Sequence, residues 1–172
     1  VVLIDEETLT NLVYSFDTNY EDSLIHKWLE NYLDTLKEHD LYLKENKWCN
    51  ETIDIENYEC KKTINDYVGL ISTKDYLEAG GKNSYLNNGK LYFILGYNQE
   101  DSNLYIEEDG SIVECSSLDG YGVRAVITLS KNVPVSQGSG TEKDPYVVDQ
   151  GNDHNYVDSY VKLGDDVWKV YE

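Results

Sequence analysis

The 172-residue sequence contains no methionine, two prolines and a single arginine, Arg124, among its 14 basic residues. Acidic residues number 33, so the formal net charge is −19 and the isoelectric point is about 4.3. A charge of this sign and size repels nucleic-acid phosphates and anionic lipid headgroups. The composition therefore argues against nucleic-acid binding and against binding to a membrane surface.

Long hydrophobic runs are also missing, since none exceeds about six residues and a membrane-spanning helix needs about 20. We therefore expect no membrane insertion by this segment. The chain begins inside the apolar run 1–4, without an initiator methionine or a signal peptide, which indicates a processed or trimmed piece of a longer precursor. Hydrophobic residues make up 40% of the chain, which is enough for one domain to fold around a core.

Motifs for catalysis and metal binding are absent from the sequence. His26 neighbours Lys27 on the polar face of a predicted helix, and His39 and His154 lie at its end and in a linker, without metal-ligand spacing. The linker 149–155 lacks the glycine and the bidentate glutamate of a helix–loop–helix calcium site. No phosphate-binding glycine loop or nucleophile elbow is present. We expect no catalytic residue, no metal and no cofactor.

Three cysteines leave the redox chemistry of the chain open. Cys49 and Cys60 are separated by ten residues of polar sequence, a span that a disulfide can close. The alternatives are two unpaired thiols, or a zinc site with Cys115 as the third thiolate. Cys115 alternates with Val113 along a predicted strand, which is typical of a small buried hydrophobic residue.

Two helices are predicted. Ser23 is suited to cap the longer one, because serine at this position accepts a hydrogen bond from the first turn. Its core-facing stripe consists of Leu24, Ile25, Trp28, Leu29, Tyr32, Leu33 and Leu36. The shorter helix is opened by Ser72 or Thr73, covers residues 74–79 and ends at Gly80-Gly81.

Strands are predicted over most of the remaining chain. They cover residues 1–4, 67–72, 91–97, 104–108, 111–115, 121–129, 146–148 and a terminal hairpin at 160–171. Asp109-Gly110 predicts a two-residue turn, Asp5-Glu6-Glu7 predicts the start of a helix, and the stretch from Trp48 to Cys60 predicts a polar loop. This order, without alternation of strands and helices, predicts an α+β fold with an antiparallel sheet.

Six segments together carry a resemblance to a known type of module: 23–29 (SLIHKWL), 67–72 (YVGLIS), 75–81 (DYLEAGG), 84–89 (SYLNNG), 122–129 (GVRAVITL) and 138–148 (GSGTEKDPYVV). They resemble an uncharacterised surface module of low-GC Gram-positive bacteria, found in secreted, wall-linked and pilin-like proteins. That module is related to the C-type-lectin-like superfamily, which includes the formylglycine-generating enzymes. The resemblance covers roughly residues 20–172.

The resemblance implies a C-type-lectin-like fold in which Arg124 is structural and pairs with a carboxylate near the sheet. Trp28 and Trp48 are also expected to be structural. Residues 92–96 depart from the Trp-Thr-like strand of relatives, and the reactive cysteines of the enzyme branch have no counterpart near the C-terminus. Catalysis is therefore not implied for this chain.

The resemblance also concerns the two ends of the chain. In relatives, a segment like 160–171 opens the module and leads into a strand like 1–4, whereas here it closes the chain. We therefore divide the chain into a module at 1–148, a linker at 149–158 and a terminal β-hairpin at 159–172. The hairpin is expected to pair with strand 1–4 of the same molecule or of a neighbouring copy. The residues expected to take part are Val1, Val2, Leu3, Ile4, Val161, Leu163, Val167, Trp168 and Val170.

The expected function is that of a non-enzymatic extracellular module, at the bacterial cell surface or secreted. It is a pilus or fibre subunit or an adhesin repeat, whose partners are other copies or neighbouring repeats. A lectin-like domain that binds a host glycan or protein is the alternative, and a secreted enzyme with a carboxylate site is a third. A truncated further repeat would also explain the terminal segment.

Overall fold

A computed structural model of the chain describes residues 1–15, 19–39, 42–52, 59–96, 102–131, 133–148, 160–163 and 166–170. The predicted linker 149–158, with its calcium-like pattern and His154, lies outside these residues. The helices are α1 (Leu24–Leu33) and α2 (Thr73–Glu78). The strands are β1 (Val2–Asp5), β2 (Thr10–Val13), β3 (Asn46–Thr52), β4 (Cys60–Asp66), β5 (Val68–Gly69), β6 (Tyr92–Ile94), β7 (Ser102–Ile106), β8 (Ile112–Ser116), β9 (Gly120–Val123), β10 (Val126–Thr128), β11 (Val135–Gln137), β12 (Tyr146–Val148), β13 (Tyr160–Leu163) and β14 (Asp166–Val170).

The strands form two larger sheets and one ribbon. A seven-stranded sheet has the order β11-β12-β13-β14-β1-β10-β5, a five-stranded sheet has the order β2-β9-β6-β7-β8, and β3 pairs with β4 alone. Neighbours are antiparallel except for the parallel pairs β12–β13 and β6–β9. Strands greatly outweigh helices, so the fold is α+β or mainly β.

The predicted strand 121–129 is two strands in two different sheets. β9 ends at Val123 and β10 begins at Val126, so the chain crosses from the five-stranded to the seven-stranded sheet at Arg124 and Ala125. Both residues at the crossing are buried. The sequence gives no turn signal at this point, so the change of sheet is not predictable from the local pattern.

The two helices begin where their capping residues predict. The Ser23 hydroxyl accepts a hydrogen bond from the backbone N–H of His26, and the Ser72 hydroxyl accepts one from that of Asp75. Helix α1 packs with Ile25 and Leu29 fully buried, and a 3₁₀ segment, Asp34–His39, follows it. Among the described residues, no helix is long and apolar enough to cross a membrane.

Three local predictions are wrong. Asp5-Glu6-Glu7 does not begin a helix, because β1 runs through Asp5 and a bend follows. The predicted polar loop is the antiparallel ribbon β3–β4, whose mostly polar residues lack an alternating apolar pattern. The turn of the β7–β8 hairpin has three residues between Glu107 and Ser111, with Gly110 at φ 83°.

Candidate functional site

The terminal hairpin β13–β14 is built into the interior of the seven-stranded sheet of its own chain. β14 runs antiparallel to β1, with Leu3 opposite Val170, Ile4 opposite Lys169 and Asp5 opposite Trp168. We call this contact between β1 and β14 the hairpin seam. On the other side, β13 pairs in parallel with β12. The two ends of the chain thus meet inside one sheet.

Apolar burial along the hairpin seam is nearly complete. Leu3, Ile4 and Trp168 have no exposed surface, and Val161 and Val170 are at most 2% exposed. Burying each side chain of this size contributes about 1.5–3 kcal/mol. The remaining strand-addition residues lie at the margins: Val1, Val2 and Val167 are half-buried, and Leu163 lies opposite Asp166 in the hairpin.

Arg124 lies beneath the seam and is 1% exposed. Its Nε donates to the backbone oxygen of Asp5 at 2.9 Å and its Nη1 to that of Leu86 at 2.7 Å. The guanidinium also lies 4.6 Å from the centre of the Tyr92 ring. Within the described residues, the hydrogen-bond partners of Arg124 are therefore backbone carbonyl oxygens and not the expected carboxylate. The reason is that the guanidinium lies where the backbone segments at Asp5 and Leu86 approach each other.

A buried carboxyl group also lies at the seam. Asp5 is 3% exposed, and its Oδ1 accepts a hydrogen bond from the backbone N–H of Glu7. Burial and the charge of Asp166 raise the pKa of Asp5 to about 8, although Arg124 acts in the opposite direction. Burial also raises the pKa of the Glu6 side chain. The backbone N–H of Glu6 donates a hydrogen bond to the backbone oxygen of Val167 at 3.2 Å. Asp5 therefore carries a proton at neutral pH.

Hydrogen bonding at the seam is incomplete. Two buried carboxyl oxygens, Asp5 Oδ2 and Glu6 Oε2, and two buried donors, Arg124 Nη2 and Trp168 Nε1, have no partner among the described residues. Unpaired groups of this kind each cost about 1–3 kcal/mol. The seam therefore combines strong apolar packing with polar groups that are only partly satisfied.

Side chains of the hairpin also contact the rest of the chain beyond β1. Lys169, 8% exposed, donates to the Tyr160 hydroxyl at 3.0 Å and lies 5.1 Å from the centre of the Tyr85 ring. Asp166 accepts a hydrogen bond from the hydroxyl of Tyr32 in α1. The ring of Tyr32 stacks on that of Trp28, with centroids 5.5 Å apart. Trp28 thus supports a side chain that holds the hairpin.

The disulfide between Cys49 and Cys60 is present and joins β3 to the first residue of β4. The prediction of a disulfide is confirmed, and this bond leaves neither two unpaired thiols nor a three-thiolate zinc site. Cys115 is buried, with its Sγ 3.4 Å from the backbone oxygen of Asn103. Burial raises the pKa of Cys115 to about 12, so it behaves as a small apolar residue.

Trp48 fixes the disulfide ribbon against the main body. Its indole N–H donates to the backbone oxygen of Asp66 at 2.9 Å, and its ring lies against Gly69 of β5. A Cβ atom at Gly69 would lie 2.3 Å from the ring. Beside this contact opens a cleft of about 370 Å³. Its lining consists of Asn46, Lys47, Trp48, Cys49, Glu59, Cys60, Thr63, Leu70, Ser72, Lys74, Asp75 and Leu95.

The surroundings of His26 differ from those that the sequence pattern predicts. It is 7% exposed instead of lying on the polar face of α1. Its Nδ1 lies 3.0 Å from the backbone oxygen of Glu21 and its Nε2 2.7 Å from Asp66 Oδ2. The spacing of His26 and Glu30, one helical turn apart, was the available signal, but Asp66 arrives from the ribbon that was predicted as a loop.

Comparison with protein-family models, curated proteins and solved structures finds no match for this chain.

Proposed function

We propose that this chain is a non-enzymatic extracellular surface module that assembles into fibres or repeat arrays by β-strand addition. In the assembled form, the terminal hairpin of one copy occupies the hairpin seam of the next. The observation that carries the proposal is the seam itself, where residues at the far ends of the chain pair inside one sheet. Exchange of an identical element between copies reproduces every contact of the closed monomer.

The contacts of the seam can form within one chain or between two copies. Its apolar pairs provide the energy for strand addition in either arrangement. The four unpaired buried polar atoms lower the stability of both arrangements alike, and they reduce the cost of opening the seam so that a hairpin can exchange. A head-to-tail exchange that does not close on itself produces an open filament.

The extracellular location is supported by the Cys49–Cys60 disulfide, because structural disulfides persist in oxidising compartments. The acidic surface of the chain and its resemblance to surface modules of Gram-positive bacteria agree with this location. A C-type-lectin-like fold remains part of the proposal on the same resemblance.

The test uses two variants that each carry one free thiol, Leu3→Cys and Val170→Cys, both in a Cys115→Ala background that keeps the Cys49–Cys60 disulfide. The variants are unfolded without reductant, mixed and refolded at high concentration. Residues 3 and 170 lie opposite each other in the seam. Because each variant carries only one of these two thiols, the thiols come together only when the hairpin of the Val170→Cys chain enters the seam of the Leu3→Cys chain. We expect a disulfide-linked heterodimer on non-reducing gels.

The matched control mixes Leu3→Cys with Lys162→Cys, whose exposed side chain lies on β13 and not opposite β1. A heterodimer yield no higher than in this control would overturn the proposal of exchange.

A ligand-binding module is the second candidate, favoured by the cleft beside the disulfide ribbon. Its lining combines Trp48 with Lys47, Lys74 and Asp75, a mixture of aromatic and polar groups suited to glycans or to a protein loop. A glycan array tests this candidate. Lys74→Ala should abolish any signal, whereas Lys61→Ala, an exposed change outside the cleft, should not.

A further inference from the structure

A second site, independent of the hairpin seam, lies where α1 meets the end of β4. His26 is in the first turn of α1, Glu30 is one turn further along, and Asp66 is the last residue of β4. One ligand atom from each of the three lies within 4.8 Å of the other two. The fold thus brings one imidazole and two carboxylates together.

The imidazole of His26 is oriented by its backbone contact. Its Nδ1 lies 3.0 Å from the carbonyl oxygen of Glu21, and a carbonyl oxygen only accepts hydrogen bonds, so the proton is assigned to Nδ1. The Nε2 atom is therefore the one directed at the carboxylates, 2.7 Å from Asp66 Oδ2. Metal-binding histidines are typically held by such a contact from the second ring nitrogen to a carbonyl.

A buried hydroxyl group at the cluster points to a missing partner. Tyr20 is 1% exposed, its ring packs edge-on against His26 with centroids 4.9 Å apart, and its hydroxyl has no hydrogen-bond partner among the described residues. A bound, hydrated cation would place a positive charge and a water molecule next to this hydroxyl.

We propose that His26 Nε2, Asp66 and Glu30 bind a divalent first-row transition metal of the Zn²⁺ class. Two ligand atoms on one zinc ion, each at about 2.1 Å, are at most about 4.2 Å apart. In a tetrahedral site they lie about 3.4 Å apart, so the cluster must contract by up to about 1.4 Å, and the exposed side chain of Glu30 can supply that movement by a change of rotamer. The mixed nitrogen and oxygen ligands favour this class over Ca²⁺ and Mg²⁺, which prefer oxygen alone.

Three protein ligands and one water molecule would coordinate the metal, and the Tyr20 hydroxyl would form a hydrogen bond with that water. It would also join α1 to the disulfide ribbon. This role goes beyond assembly through the hairpin seam and does not depend on it. The competing account is a His26–Asp66 ion pair that joins the same two elements without a metal.

Glu30 distinguishes the two accounts, because it takes no part in the His26–Asp66 hydrogen bond. Tag-free protein is treated with a chelator and titrated with Zn²⁺ by calorimetry, and with Co²⁺ by visible absorption. We expect one Zn²⁺ per chain and a rise in Tm with Zn²⁺. The visible absorption spectrum of bound Co²⁺ should be that of an ion with a low coordination number. Glu30→Gln should weaken Zn²⁺ binding at least about tenfold and leave the metal-free Tm unchanged.

The control variant is Glu78→Gln, which removes an exposed helical carboxylate outside the cluster. It should bind Zn²⁺ like the unchanged protein. Absence of stoichiometric binding, or equal Zn²⁺ affinity in the Glu30→Gln and Glu78→Gln variants, would overturn the proposed site and leave the ion pair as the explanation.

Discussion

At the scale of single residues, Asp5 should dominate the pH dependence of stability near neutrality. Its pKa is about 8 in the folded chain against an ordinary value of 3.8, so between these values the folded state holds a proton that the unfolded state has lost. The contribution of Asp5 to the free energy of unfolding is therefore greatest below pH 4, and it decreases as the pH rises towards 8. The slope is up to about 1.4 kcal/mol per pH unit.

The corresponding prediction concerns Asp5→Asn, which mimics the protonated carboxyl group. Urea unfolding at pH 5, 6, 7 and 8 should give a flatter dependence of the free energy of unfolding on pH than in the unchanged protein. The variant should also be more stable at pH 8. Asp22→Asn, at an exposed position, serves as the control. Parallel curves for Asp5→Asn and the unchanged protein would refute this role of Asp5.

Arg124 yields a second prediction at this scale. Lysine lacks the planar fork that lets one guanidinium reach the carbonyl oxygens of both Asp5 and Leu86. Arg124→Lys should therefore lower the free energy of unfolding by about 2 kcal/mol or more. Lys74→Ala, an exposed change, should stay within about 0.5 kcal/mol in the same denaturant titration. A comparably small effect of Arg124→Lys would count against its structural role.

At the scale of elements, the packing of the disulfide ribbon on β5 depends on a glycine. A methyl group at Gly69 would lie closer to the indole of Trp48 than any real contact allows. Gly69→Ala should destabilise the fold by about 1–3 kcal/mol in thermal or chemical unfolding. At Gly120 the nearest neighbouring atom to an added Cβ is 3.6 Å away, so Gly120→Ala is the matched control. Equal effects of the two changes would contradict the proposed packing.

Elements with a local signal were predictable from the sequence, and elements defined by distant contacts were not. Ser23 and Ser72 mark the helix starts because capping involves residues three apart. The ribbon β3–β4 was missed because its residues are mostly polar, and the disulfide and the Trp48 contact hold it in place. The change of sheet at Arg124 has no local signal, because the residues on both sides of it are typical of strands in either sheet.

The residues of the candidate sites also differ in whether the sequence predicts them. The residues of the hairpin seam could be named from the resemblance and from their apolar pattern. The polar groups beneath the seam and the His26 cluster could not, since Asp66 reaches His26 from 40 residues away. Helical periodicity assigned His26 to a polar face that the ribbon in fact covers.

At the scale of the whole molecule, the terminal hairpin should be indispensable to the fold. Deleting residues 159–172 would uncover Leu3 and Ile4 along one edge of β1 and remove the buried Trp168. We expect the truncated chain to lose its cooperative unfolding transition in circular dichroism, and a synthetic 159–172 peptide to restore it. A truncated chain that unfolds with unchanged stability would show that the hairpin is dispensable.

Sedimentation velocity can distinguish a seam that forms between copies from one that stays within a single chain. The unchanged protein is compared with a locked variant, Leu3→Cys with Val170→Cys in a Cys115→Ala background, oxidised in dilute solution so that the seam closes within one chain. After incubation at high concentration, the unchanged protein should form concentration-dependent multimers that reduction does not disperse, and the locked variant should stay monomeric until it is reduced. Monomers at every concentration for the unchanged protein, or equal multimers for both, would contradict assembly by hairpin exchange.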